Sequence, residues 1–266
     1  MLEIKDIFKT FNKGTINEKR ALCGVSLTLN DGDFCTVIGG NGAGKSTMLN
    51  AIAGVWPVDS GAICIDGKDI SGLPEHKRAS YLGRVFQDPM TGTVGDMEII
   101  ENLAIAARRG KRRDLSWGTK ASEKEKYAKM LAQFDLGLET RMSSKVGLLS
   151  GGQRQAITLL MATIKKPELL LLDEHTAALD PKTATKVLEL SDKIIADNKL
   201  TALMVTHNMS DAIAHGNRLI MMNEGKIILD ISGEEKKKLT VEQLLQKFEQ
   251  VSGSKIDNDR MLLNAD

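Results

Sequence analysis

The sequence predicts an α/β protein whose core is a mainly parallel sheet, joined by an antiparallel β subdomain and a helical insert. Three observations carry that expectation. Phe34–Ile38, Leu169–Leu172 and Ala202–Val205 are short apolar runs of the kind found in strands buried on both faces, as in parallel sheets covered by helices. Amphipathic stretches at helical spacing alternate with these runs. Between Asp88 and Lys166 the strand signals give way to mostly helical patterning.

In chain order, Val25, Leu27 and Leu29 alternate with Ser26, Thr28 and Asn30, as a half-buried strand would. Ala62–Ile65 followed by Asp66-Gly67 reads as an antiparallel hairpin piece. Arg218–Met222, turning through Asn223-Glu224-Gly225 into Lys226–Ile231, reads as another. Glu98–Arg109 carries Ile99, Ile100, Leu103, Ala106 and Ala107 at helical spacing and stops at Gly110. Ser122 with Glu125 has capping-box spacing and predicts a second helix. Thr240 with Gln243 predicts a last one, its apolar face built from Val241, Leu244, Leu245, Phe248 and Val251. The expected organisation is a core of residues 1–87 and 167–240, a helical subdomain at 88–166, and a C-terminal amphipathic helix with a polar tail at 241–266.

Composition narrows the function. The 266 residues are enough for one or two domains with a full core. Lys plus Arg number 36 against 35 Asp plus Glu, so a net charge of +1 supplies no bulk field for nucleic acid. No run approaches the roughly 18 apolar residues of a spanning helix, and the N-terminus lacks a signal-peptide apolar region. Cys23, Cys35 and Cys64 show no CxxC spacing and read as small apolar residues in a reducing compartment. Lys111-Arg112-Arg113 reads as a basic surface loop.

Gly39-Gly40-Asn41-Gly42-Ala43-Gly44-Lys45-Ser46 fits the phosphate-loop pattern G-x-x-x-x-G-K-[ST], and Thr47 follows. Glycines let successive backbone N–H groups turn toward phosphate oxygens, while the next helix points its positive end at them. Lys45 then adds a charge for the β and γ phosphates, and the Ser46 hydroxyl is a ligand for Mg²⁺. Leu169–Leu172 delivers Asp173 and Glu174 to the carboxyl end of a buried strand, where ligands of open α/β sheets bind. Asp173 is placed to hold Mg²⁺ and Glu174 to orient and deprotonate an attacking water.

Ser150-Gly151-Gly152-Gln153 has capping-box spacing and two glycines in a first helical turn, which cost helix propensity. Such a turn suits close backbone approach to a phosphate. A chain with a complete phosphate loop has no use for a second one on the same nucleotide, so the turn is expected to close over the nucleotide of a second subunit.

These motifs resemble those of ABC-type ATPases, the ATP-binding subunits of ATP-driven transporters, over essentially residues 1 to 235. Gly39–Thr47 is similar to Walker A, Leu149–Gln153 to the ABC signature and Leu169–Glu174 to Walker B. Gln87, in Val85-Phe86-Gln87-Asp88-Pro89, resembles the Q-loop glutamine. Ala177-Ala178-Leu179-Asp180 resembles the D-loop, and His207 the switch histidine. The six motifs stand in the family's order. The resemblance implies a P-loop ATPase core binding ATP and Mg²⁺, with Gln87 completing the metal and water shell. It also implies His207 at the γ-phosphate and Phe11 stacked on adenine, although Phe11 alone also reads as a strand phenylalanine. Three positions depart from the family pattern: His175 and Gly40 where prolines are frequent, and Ala177 where serine is common. His175 reads as a bland replacement rather than a second base.

By the same resemblance the chain is expected to dimerise through its nucleotide sites and drive separate permease subunits at the cytoplasmic face of a membrane, with an extracytoplasmic solute-binding protein. Bacterial uptake systems have ATPases of this size, and Asp173–Asp180 with Lys111–Trp117 resembles those for aromatic amino acids such as tryptophan. The permease's docking surface is expected at Asp88–Asp96 and the helix Glu98–Arg109. The alternative is a non-transport ABC ATPase acting on nucleic acid or ribosomes; the near-zero charge, single phosphate loop and lack of sustained heptads favour no nucleic-acid partner. A plain P-loop kinase is a second alternative, opposed by the Ser150 turn.

Overall fold

The computed structural model describes residues 1–111, 118–119 and 121–252. The chain opens with β1 (Leu2–Phe11), β2 (Lys19–Leu29) and β3 (Phe34–Ile38), then α1 (Lys45–Ala53). Next come β4 (Ser60–Ile65), β5 (Lys68–Asp69), a short α2 (Glu75–Arg78) and β6 (Leu82–Val85). A helical stretch holds α3 (Ile99–Ala107), α4 (Ala121–Ala132) and α5 (Gly151–Thr163), with 3-10 turns at Leu138–Thr140 and Val146–Leu148. The remainder runs β7 (Leu169–Asp173), α6 (Pro181–Asn198), β8 (Ala202–Val205), α7 (Met209–Ala214), β9 (Arg218–Asn223), β10 (Lys226–Ser232), α8 (Gly233–Lys237) and α9 (Val241–Ser252).

Two sheets form. One is four-stranded and antiparallel, in the order β2-β1-β4-β5; the other is six-stranded, β10-β9-β3-β8-β7-β6. In the larger sheet β6, β7, β8, β3 and β9 pair in parallel, and only β10 joins antiparallel, through its hairpin with β9. The all-leucine segment of β7 shows why the fold needs a continuous apolar run. Leu169 and Leu171 pack with Val37, Leu203 and Val205 against Met48, Leu49 and Ile52 of α1. Leu170 and Leu172 face the other way, onto Leu159 of α5 and Leu188, Ile194 and Ile195 of α6. Successive residues of a strand point to opposite faces, so a strand covered on both sides must be apolar throughout. Each fully buried leucine contributes about 1.5–3 kcal/mol.

The helical stretch has an apolar cluster of its own, around Ile99, Leu103, Tyr127, Leu131, Leu138, Ile157 and Leu160. α4 already runs at Ala121, so Ser122 lies within its first turn rather than at the expected cap. The Thr240 capping box does form, with Gln243 N donating to Thr240 Oγ1 at 3.3 Å and Thr240 N to Gln243 Oε1 at 3.1 Å. It aims Leu244 and Phe248 of α9 into a cluster with Leu219, Met221 and Ile231. Cys35 is buried, Cys23 and Cys64 are half-buried, and all three are free thiols. Arg112, Arg113 and the tail after Ser252 lie outside the described residues.

Candidate functional site

Four parallel strands deliver the candidate residues at their carboxyl ends. β3 runs into Gly39, β6 into Gln87, β7 into Asp173 and Glu174, and β8 into Thr206-His207. This is the edge of an open α/β sheet where ligands bind. An open cleft of about 320 Å³ lies there, lined by Phe11, Lys19, Ala21, residues 41–47, Glu174 and His207.

The phosphate loop is shaped by what surrounds it. Gly44, the cap residue of α1, has φ 102°, and a Cβ there would come within 2.6 Å of the Ala21 carbonyl oxygen. A Cβ on Gly39, at φ 150°, would overlap the Met222 carbonyl oxygen. Only glycine fits either place. Lys45 is buried, its Nζ donating to the carbonyl oxygens of Gly39 at 2.7 Å and Gly40 at 3.2 Å. Burial lowers the Lys45 pKa, while the Glu174 and Asp173 charges oppose the shift.

Glu174 has a left-handed backbone, φ 47°, held by its N–H bond to the Val205 carbonyl at 3.0 Å and by Ala177 N donating to its own carbonyl at 3.0 Å. His207 Nε2 lies 2.6 Å from Glu174 Oε1. One residue earlier, Asp173 Oδ2 accepts from Arg84 Nη2 at 3.1 Å. Burial raises the Asp173 carboxyl against the pull of Arg84. His175 is buried, its Nε2 3.0 Å from Ser191 Oγ. Burial, reinforced by the charge of His215, drops its pKa to about 4. It is therefore neutral at pH 7, and it is buried away from solvent with its Nε2 engaged by Ser191.

Phe11 ends β1 half-buried, edge-on to Trp56 with ring centroids 4.9 Å apart. It lines the cleft, and its cross-strand partner Lys19 brings a second cation beside the loop. Sequence reasoning missed Lys19, because an exposed lysine in a turn-rich segment carries no signal until the β1–β2 register is known. It also missed Arg84, because the four residues of β6, with a glycine among them, give no strand pattern in which a charge would stand out.

Gln87 is exposed and lies outside the cleft lining, as do Ser150–Gln153. The Ser150 capping box forms: Gln153 N donates to Ser150 Oγ at 3.3 Å, and Ser150 N to Gln153 Oε1 at 3.2 Å. The two glycines of this turn do not both stand free for a phosphate, as the sequence led one to expect. A Cβ on Gly152 would overlap the Thr183 methyl, so that glycine is already required by the packing of α5 on α6. Exposed Gly151 meets only the end of the Leu179 side chain, at 3.1 Å.

Beyond Gln87, an open groove of about 390 Å³ lies between residues 90–96 and 145–148. Met90 is 41% exposed, Val94 50% and Leu148 75%. The second wall of this groove comes from Lys145, Gly147 and Leu148 rather than from the helix Glu98–Arg109.

For Mg²⁺ the donor set fits in kind: a hydroxyl at the start of α1 and a carboxylate at the end of β7 are hard oxygen ligands, and this ion normally takes its remaining ligands from phosphates and water. Among the described residues no group of three or more His, Cys, Asp or Glu forms a dedicated metal cage.

A parallel sheet with a glycine-walled phosphate loop, two carboxylates at the next strand's end and a capped signature turn defines a P-loop nucleotide-hydrolysing cassette. The chain belongs to the ABC transporter family, whose model matches residues 22–177. A tyrosine transport ATP-binding protein of Clostridioides difficile (strain R20291) is 43% identical over 249 residues, 94% of this chain and 99% of that one. Among solved structures, the ADP conformation of MJ1267, an ATP-binding cassette of an ABC transporter, superposes with a TM-score of 0.77 at 28% identity, covering 95% of this chain and 97% of that chain. The dimeric post-hydrolysis state of the cassette MJ0796, bound to ADP and Pi, gives 0.74 at 28% identity, covering 87% and 98%. The protein is an ATP-binding, ATP-hydrolysing cassette.

Proposed function

We propose that this chain powers an uptake system for an aromatic amino acid such as tyrosine. It works as a homodimer at the cytoplasmic face of a membrane, beneath separate permease subunits fed by an extracytoplasmic solute-binding protein. The observation that carries this reading is that the Ser150 turn takes no part in the lining of the phosphate-loop cleft and borders a separate pocket with Thr183. Two copies related by a twofold axis would bring each turn over the other's cleft. MJ0796 is dimeric with ADP and Pi bound, which supports the arrangement. The solute class rests on the tyrosine transport protein, whose similarity runs nearly the full length of both chains. Among the described residues no helix is long and apolar enough to cross a membrane, so the solute path is assigned to a separate permease.

In this reading Gly39–Thr47 binds the phosphates, Phe11 stacks on adenine, and Lys45 exchanges its bonds to Gly39 and Gly40 for phosphate oxygens. Mg²⁺, held by Ser46, Asp173 and Gln87, would neutralise charge developing on the β and γ phosphates. Glu174 takes the proton of the attacking water, and His207 beside it orients that water against the γ-phosphate. Ser150–Gln153 of the second copy closes over the phosphates, with the Gly151 and Gly152 N–H groups at the start of α5 as its backbone donors, since those of Ser150 and Gln153 serve the capping box. The helical subdomain at 88–166 would relay closure through Gln87. Its groove at Met90, Val94 and Leu148 offers adaptable apolar contacts to a permease segment.

Purification from detergent-solubilised membranes tests the class. A multi-spanning protein should accompany the chain, and tyrosine uptake should vanish when Lys45→Ala replaces the native subunit. Recovery of ribosomes or DNA instead would overturn the transport reading.

A further inference from the structure

Arg84 is an unusual residue for its place. β6 is the edge strand of the large sheet, only four residues long, and Arg84 sits on it opposite Leu171 of β7. The side chain is only 13% exposed. Its Nε is buried without an acceptor, an omission that costs about 1–3 kcal/mol. A cation kept there at such expense should have a compensating task.

Its contacts show one. Nη2 donates both to Asn50 Oδ1 at 2.9 Å and to Asp173 Oδ2 at 3.1 Å, while the guanidinium carbon lies 4.6 Å from the centre of the Phe86 ring. A single nitrogen therefore joins three elements: β6, which leads into Gln87, α1 and β7. Asn50 stands four residues after Ser46 on α1, so the two occupy the same helix face one turn apart. Fixing Asp173 to Asn50 fixes it relative to Ser46. The bond also engages Oδ2, leaving Oδ1 as the oxygen Arg84 does not use.

We propose that Arg84 is a positioning residue that clamps the Asp173 carboxylate to the phosphate-loop helix and so sets the spacing of the two oxygen donors for Mg²⁺. A lysine cannot replace it fully, because a point charge lacks the planar face that stacks on Phe86. The inference rests on the assignment of Asp173 to the metal in the proposed function.

The test measures metal binding without turnover, using Mn²⁺ as the probe and electron paramagnetic resonance of the full chain saturated with ADP. Arg84→Met should weaken Mn²⁺ binding about 10- to 100-fold, as loss of a group orienting a metal ligand typically does. ADP affinity in EDTA should be unchanged, which separates positioning from misfolding. Asn50→Ala should shift Mn²⁺ affinity in the same direction by less, and Arg84→Lys should recover part of the loss. Unchanged or tighter Mn²⁺ binding in Arg84→Met, with ADP binding in EDTA preserved, overturns the proposal. Should Arg84→Met not fold, Asn50→Ala decides: no Mn²⁺ effect there overturns it as well. Asp173→Asn separates the two levels. If that variant also binds Mn²⁺ normally, the metal assignment itself fails; if only the Arg84 and Asn50 variants are silent, the clamp alone fails.

Discussion

The turn Gly39–Gly44 is walled at both ends by backbone of its own chain, whereas the turn Ser150–Gly152 meets only side chains. In the first, a side chain on Gly39 or Gly44 would run into the backbone carbonyls of Met222 or Ala21. Those carbonyls belong to strands, which cannot give way cheaply. The loop is further strutted by Gly225 N donating to Ala43 O at 3.0 Å and Cys23 N donating to Gly225 O at 2.9 Å. In the second turn, Gly152 is needed only against a side-chain methyl and Gly151 only against the end of a leucine. The two turns share the grammar of a glycine-rich helix start. One is walled by strand backbone of the same subunit, and the other leaves Gly151 exposed.

Replacing the carboxylate proposed as general base should produce the largest effect. Glu174→Gln is expected to slow ATP hydrolysis about a hundred- to ten-thousandfold while leaving nucleotide binding intact, measured as single-turnover rate and affinity. Normal hydrolysis would remove Glu174 from the chemistry served by the Gly39–Gly44 turn.

Gly39→Ala comes next. It combines a strained backbone with overlap on the Met222 carbonyl, so unfolding free energy should fall by about 2–5 kcal/mol in denaturant titration. A stable, ATP-binding Gly39→Ala protein would mean the enclosure is softer than its geometry implies.

Buried His175, next to Glu174, gives the fold a pH signature. Its pKa is about 4 in the fold against 6.5 for an ordinary histidine. The unfolded chain takes up the proton first, so this contribution is complete above pH 6.5 and is lost as pH falls toward 4. About 3 kcal/mol should disappear across that window, and His175→Gln should flatten the slope.

The smallest effects sharpen the contrast inside the open turn. Gly152→Ala should cost about 1–3 kcal/mol, largely restored by Thr183→Ser, which removes the opposing methyl. Gly151→Ala should leave stability within about 1 kcal/mol yet weaken ATP-driven dimerisation, read by size-exclusion chromatography. If Gly151→Ala instead unfolds the chain and spares dimerisation, both turns are internal and the distinction collapses.

Most of the architecture was legible because the core strands β3, β7 and β8 are buried on both faces and leave uninterrupted apolar runs. The caps at Ser150 and Thr240 were legible because they are local. β1 was not, since bulges between Ile4 and Ile7, Ile7 and Phe8, and Lys9 and Thr10 break its alternation. β6 hid for a different reason: in four residues it carries Gly83, where a Cβ would come within 2.5 Å of the Ala162 carbonyl oxygen, and Arg84, which serves the site. The phosphate loop and the two carboxylates were readable from spacing. The Lys19 position and the Asn50–Arg84–Asp173 bridge depend on strand register, which no local pattern encodes.

The left-handed backbone of Glu174 makes the residue proposed as general base a thermodynamic burden. A side chain held at φ 47° forfeits about 1–2 kcal/mol relative to a relaxed conformation, and a glycine there would recover much of it. Under the proposed function, activity and durability pull in opposite directions at this residue, and a programme to harden this protein against heat would have to leave that position unimproved.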